Sequence, residues 1–401
     1  MIGYQAFADL SQSSDSDERG HAAHLAALAY LKHDGPADEH AALYAALISF
    51  LDDPSVKVRA SLAYGLLHSL DAPRPIILAL LRDSPIISRA VLQYSPILVD
   101  ADLMSVVRNG DIAALVSIAQ RTTISPRIGA ALIARNDDSL TLRVLRRKEV
   151  QLAADVLQAL ANTRGENAQM RGALLARKDL PAPARLLLVQ RATESLRQCR
   201  MVKGALAPDR LERLLRDGND TAVSAIGERA SVAADPNFVE QLVGANQLNT
   251  RLLLHAVVTG HVMFFAACLA NLAQVSRDKV FSLLESGSRP ALMALFVRCG
   301  LDSGISRLLV RLVLHARAAD LADDVAARHY VVTALTEEMI ADYDGDIPPE
   351  LEEAFAYLGE QNIALARKAA RGVMAAFAGS SSAVMSLPPA QVQPALALPA
   401  A

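Results

Sequence analysis

Apolar residues recur at intervals of three and four along nearly the whole chain. In the stretch 40–70, Leu43, Ala46, Leu47, Phe50 and Leu51 fall on one helical face. Val56, Ala60, Ala63, Leu66, Leu67 and Leu70 fall on that of a second helix. Three more segments, 73–98, 100–124 and 125–150, repeat the design of helix, short polar turn, helix. Beyond residue 150 the pattern predicts helices near 151–162, 166–177, 181–201, 207–216, 219–231, 236–244 and 248–259. Further helices are expected near 261–273, 276–286, 288–299 and 304–318, then two longer ones near 323–343 and 349–376. The expectation is an all-α array of stacked helix pairs with a longer C-terminal helical pair capping its open end.

Helix starts carry their own chemistry. Asp53-Pro54, Ser84-Pro85, Ser125-Pro126 and Asp235-Pro236 each place a capping oxygen ahead of a proline, which loses no hydrogen bond at the first helical position. A second regularity spans six residues, with Asp53 before Arg59, Asp83 before Arg89, and Asp137 before Arg143. Stacked units would let each guanidinium bridge its own turn and that of a neighbour, a structural ladder of charge-assisted bonds. The third repeat departs from the pattern, because Ser117 stands six residues after Asp111.

The stretch DDPSVKVRASLA resembles the turn and second helix of a HEAT repeat. Three longer pieces, LLRDSPIISRAVLQYSPIL, ALLARKDLPAPARLLLV and the run from LLLHAVVTGHVMFF to ALFVRCGL, resemble the bacterial "domain of unknown function 2336" family over roughly residues 40–320. The resemblance implies a HEAT-like α-solenoid and carries no activity and no site residues. With the composition and periodicity of the flanks, the chain reads as four regions: an acidic N-terminal segment with a peripheral helix (1–39), the array (40–320), capping helices (321–378) and a low-complexity, disordered tail (379–401).

Composition narrows the function classes. Aromatics make up 4% and Trp is absent, which argues against a large sheet and against base stacking on aromatic platforms. Three cysteines (Cys199, Cys268, Cys299) with no CxxC fit a reducing cytoplasm rather than a disulfide framework. The N-terminal residues lack the basic-then-apolar pattern of a secretory signal. Leu252 to Ala273 has no formal charge and could span a bilayer by length. Its Thr259-Gly260-His261 step reads instead as a break between two buried helices, so no membrane span is expected. Charge is uneven: 9 acids and 2 bases in 1–53, 14 acids and 25 bases in 54–216, 20 acids and 13 bases in 217–401.

No phosphate loop, nucleophile elbow or HExxH is present, and no cofactor is expected. His21 and His24, with His33 and His40 nearby, lack the supporting ligands of a metal site. Asp342, Asp344, Asp346, Glu350 and Glu353 have calcium-loop spacing, but Ile347 stands where glycine is required. That leaves a basic set as the candidate partner-binding surface: Arg143, Arg146, Arg147, Lys148, Arg171, Arg177, Lys178, Arg197, Arg200 and Lys203. The expected function is a non-catalytic scaffold for a protein partner. Nucleic-acid binding through the basic middle is the alternative, and an enzyme built around Cys199 or Cys268 the remote one.

Overall fold

The computed structural model describes residues 9–380 apart from 234, 236, 320, 322 and 323. Among the described residues every regular element is a helix. The tail expected over 379–401 falls outside them from residue 381, and so does the proline of the Asp235-Pro236 pair. The chain divides into two compact units, 1–192 and 193–401. This division differs from the single array expected over 40–320.

Unit one begins with α1 (Ser16–Leu31), α2 (Ala37–Leu51), α3 (Val56–Leu66), α4 (Arg74–Leu80), α5 (Pro85–Tyr94) and α6 (Asp100–Asn109). It continues with α7 (Ile112–Ala119), α8 (Pro126–Ile133), α9 (Asp138–Arg146), α10 (Ala154–Arg164), α11 (Ala168–Leu175) and α12 (Ala182–Gln198), in which the division falls. Most helices adjacent in sequence pack together, and the odd members α1, α3, α5, α7, α9 and α11 also pack in succession as one continuous layer. The core between the layers is built from Leu62, Leu66, Ile76, Leu80, Val91, Leu115, Leu132, Leu140, Val144 and Leu174, all essentially inaccessible. Burying an aliphatic side chain of this size contributes about 1.5–3 kcal/mol.

Two expectations fail here for physical reasons. The helix expected within 1–39 is not peripheral: Asp15 accepts from the Asp17 amide and starts α1, whose Ala22, Ala23, Ala26 and Ala27 are buried against α3. Small alanines let α1 approach α3 closely, so the N-terminal helix belongs to the stack. Val56 and Leu70 are exposed, since α3 turns Val58, Leu62, Ala63 and Leu66 inward instead. Of the proline starts, Ser125 Oγ accepts from the Ile128 amide with Pro126 at the first helical position. Pro85 begins α5, but the Ser84 side chain makes no cap bond. Pro54 precedes α3 by two residues.

Unit two holds α13 (Arg200–Ala205), α14 (Pro208–Val232), α15 (Asn237–Gly244), α16 (Thr250–Val258), α17 (Val262–Ala273) and α18 (Arg277–Ser286). It ends with α19 (Arg289–Arg298), α20 (Ser303–Ala316), α21 (Val325–Asp342) and α22 (Pro349–Ser380). Its centre is α16, buried from Arg251 to Val258 and contacted by α14, α17, α20 and α22. The chain breaks at Gly260, whose φ of 80° suits glycine, so the uncharged run forms two helices. No helix of the described residues is long and apolar enough to cross a membrane. The break expected between 216 and 219 is absent, and α14 runs through it because Asp217 and Asp220 are held by Arg251.

Candidate functional site

Unit one is tied together by arginines. Arg59 donates to both carboxylate oxygens of Asp83 (2.6 and 2.9 Å) and to the carbonyl of Asp53 (2.6 Å). Arg19 does the same one step earlier, reaching the Asp53 carboxylate (2.7 and 3.2 Å) and the Ser13 carbonyl six residues behind it (2.9 Å). Arg19 and Arg59 each hold the aspartate they reach well below the ordinary carboxylate range, mainly by these hydrogen bonds. Arg89 makes only one longer bond, to exposed Asp111 (3.2 Å). The Asp137–Arg143 pairing does not form: Asp137 caps α9 through the Leu140 amide, and Arg143 points to solvent without a partner among the described residues.

Where the rungs stop, a second set of ties begins at the other ends of the helices. Arg121, just past α7, donates to the carbonyls of Leu92 and Ser95 at the end of α5. Arg147 caps Ala119, Arg121 and Thr122 at the end of α7. Arg177 caps Leu145, Arg147 and Val150 at the end of α9, and Arg185 caps Leu175 and Arg177 at the end of α11. A guanidinium satisfies carbonyls a helix end leaves unpaired and offsets its partial negative charge. Each capping arginine from Arg121 to Arg177 offers its own carbonyl to the next.

The ten basic positions accordingly separate. Arg177 is 2% exposed and is a strut. Arg147 is a strut that also pairs with Glu149, and Arg171 folds back onto the carbonyls of Gly165 and Glu166. Arg197 is held by Glu194 and Glu212. Arg143, Arg146, Lys148 and Lys178 remain exposed in unit one, and Arg200 and Lys203 in unit two, without ion pairs among the described residues.

The rung register also exposes an array that sequence reading missed. Five residues after Arg19, Arg59 and Arg89 stand His24, Tyr64 and Tyr94, one on each of α1, α3 and α5. Tyr64 is 69% and Tyr94 48% exposed; the His24 and Tyr64 rings lie 5.5 Å apart, and His68 meets Tyr94 at 5.3 Å. The same register continues as Thr122 and Lys148. The signal was available as Asp/Ser-x5-Arg-x4-ring.

Residues 87–347, from α5 to the turn before α22, match the model of a family described as an uncharacterised protein conserved in bacteria (DUF2336). The chain belongs to this family. No curated protein and no solved structure is significantly similar to it. The family match starts later than residue 40, leaving α1–α4 and with them the Arg19–Asp53 rung outside it.

The part of the family region in unit two centres on Arg251. It pairs with Asp220 (2.9 Å) and Asp217 on α14, lies 4.8 Å above the Tyr357 ring and approaches Glu360 on α22 (3.6 Å). One turn on, His255 Nδ1 shares a 2.9 Å hydrogen bond with Tyr357 Oη. Burial lowers the His255 pKa to about 4 and raises that of Tyr357. Between α16, α17, α18 and α20 lies a cavity of about 260 Å³ walled by Val257, Phe265, Phe281, Leu284 and Val313. Cys268 is buried with its thiol pKa driven up, and Cys299 is raised to about 11, both by burial, which leaves neither a ready nucleophile. No cluster of His, Cys, Asp or Glu suited to a metal occurs among the described residues, the histidine and calcium-loop positions included.

Proposed function

We propose that the protein is a non-catalytic, cytoplasmic HEAT-like scaffold whose first unit binds a partner protein along its odd-helix layer. The observation that carries this reading is the row of exposed Tyr64 and Tyr94 with half-buried His24, repeated at one register on three successive odd helices. Repeat layers offer long, evenly spaced surfaces, and tyrosine and arginine anchors dominate binding energy at interfaces. The rungs five residues earlier hold the spacing. Farther along the layer α9 exposes Arg143 and Arg146, and exposed Lys148 follows just past its end. The fitting partner is therefore an extended segment, apolar at one end and acidic toward the other. The successive packing of α1 to α11 supports the solenoid reading, and three free cysteines suit a reducing compartment.

An aromatic row beside free cations also suits single-stranded nucleic acid. That reading is weaker because the chain has no Trp, only 4% aromatic residues for base stacking and a net charge of −3. The test compares the parent with Tyr64→Ala/Tyr94→Ala and with Arg143→Glu/Arg146→Glu/Lys148→Glu. Arg147 is spared because its reversal would unseat the α7 cap. Capture from a native lysate at low and high salt is read by protein identification, with oligonucleotide binding in parallel. The scaffold reading expects the same polypeptide to be lost in both variants. Tight oligonucleotide binding at physiological salt, or unchanged capture, would overturn it.

A further inference from the structure

Protein interiors close to leave few voids larger than a water molecule. Unit two departs from this with its cavity of about 260 Å³ between α16, α17, α18 and α20. The floor is apolar, each of the four helices contributing one buried side chain: Val257, Phe265, Leu284 and Val313. A cavity of roughly 150 Å³ with such a lining takes up benzene. This one therefore has room for a phenyl or branched alkyl group and the first atoms attached to it.

The mouth has a different chemistry. Glu285, on the last turn of α18, and Arg317, just past α20, both line it and both are exposed. Arg317 is held in place by the end of α18: its Nε donates to the Leu284 carbonyl (2.7 Å) and its Nη2 to those of Leu283 (2.8 Å) and Gly287 (2.9 Å). These bonds cap α18 and leave Nη1 to meet an anion. The Glu285 carboxylate has no hydrogen bond or ion pair among the described residues, and it is not paired with Arg317.

Two opposite, separate charges beside an apolar floor match a molecule that carries an ammonium, a carboxylate and an apolar group on one carbon. We propose that this cavity binds a free α-amino acid with an apolar side chain, its side chain on the floor, its ammonium toward Glu285 and its carboxylate on Arg317. An apolar acid would bring its charge beside Glu285, and an apolar amine would bring its own beside Arg317, so each alone is disfavoured. The inference concerns unit two and is independent of the odd-helix layer.

The test titrates the full chain by calorimetry with L-phenylalanine and L-leucine. Each is compared with its analogue lacking the ammonium, its analogue lacking the carboxylate, and glycine, which lacks the side chain. At least one of the two amino acids is expected to bind about tenfold or more tightly than its analogues and glycine. Glu285→Gln, at an exposed position, should weaken that amino acid about fivefold and leave its deaminated analogue bound no more weakly than before. Ala316→Leu fills the cavity from α20 and should abolish binding. Dichroism and melting curves accompany both variants, and Glu285→Gln decides the matter if Ala316→Leu does not fold. An analogue with one charge binding as tightly as the amino acid overturns the proposal in favour of a singly charged ligand. No saturable binding by either amino acid, or binding indifferent to Glu285→Gln, also overturns it.

Discussion

Arg59 reaches forward to the carboxylate of Asp83 in the next helical pair while holding the carbonyl of Asp53 in its own. The pair is largely shielded from solvent, whereas Arg89 and Asp111 are open to it. Bidentate, shielded pairs are worth more than exposed single bonds. Arg59→Ala should therefore lower stability by about 2 kcal/mol and Arg89→Ala by no more than about 0.5 kcal/mol, with exposed Arg108→Ala as the baseline. Urea midpoints check this. Equal midpoints for Arg59→Ala and Arg108→Ala would mean the rung is idle.

Arg177 should be the most sensitive of the ten basic positions. Its removal leaves the carbonyls of Leu145, Arg147 and Val150 without that donor and Asp179 without its cation. Arg177→Met is expected to cost about 3 kcal/mol or more. Arg177→Lys should recover little, since one ammonium cannot span the fork. Chemical denaturation of the two variants decides the point, and a loss near that of Lys178→Ala contradicts it.

Two glycines of α14 should respond with opposite signs. A Cβ at Gly227 would sit 2.2 Å from the Phe264 ring, so Gly227→Ala should destabilise by about 1–3 kcal/mol. Nothing lies within 4 Å of a Cβ at Gly218, and Gly218→Ala should stabilise by about 0.5–1 kcal/mol. Thermal melts give both signs directly.

His255 sets a pH dependence. Buried beside Tyr357, with Arg251, His261 and Asp217 nearby, it titrates near 4 when folded and near 6.5 when unfolded. The unfolded chain thus binds the proton first as pH falls. Stability from the neutral ring is complete above 6.5 and is lost on descent toward 4, by roughly 3 kcal/mol. His255→Asn should be less stable at pH 7 and show a shallower fall between pH 6.5 and 4.5. Parallel slopes in urea titrations would assign the pH dependence elsewhere.

Periodicity made nearly every helix legible, because packing needs only that apolar residues recur at helical spacing. The DGND stretch misled because its polarity serves a partner distant in sequence: Asp217 and Asp220 are acids for Arg251, thirty-odd residues on. The Arg59 rung could be foreseen from a local six-residue interval. The caps at Arg121, Arg147 and Arg177 could not, since their acceptors are backbone carbonyls that any residue supplies. Hence Arg177, read as a surface cation, is the largest fully buried side chain among the described residues. His24, Tyr64 and Tyr94 were visible in register only once Arg19 joined the ladder.

The proposed binding row is tested most directly by photo-crosslinking. Benzoylphenylalanine replaces Tyr64, Tyr94 or exposed Ala45 on α2, and the living host is irradiated before adducts are identified. The account predicts adducts to one common polypeptide at 64 and 94 and none at 45. Adducts to nucleic acid, or the same products at all three positions, would contradict it.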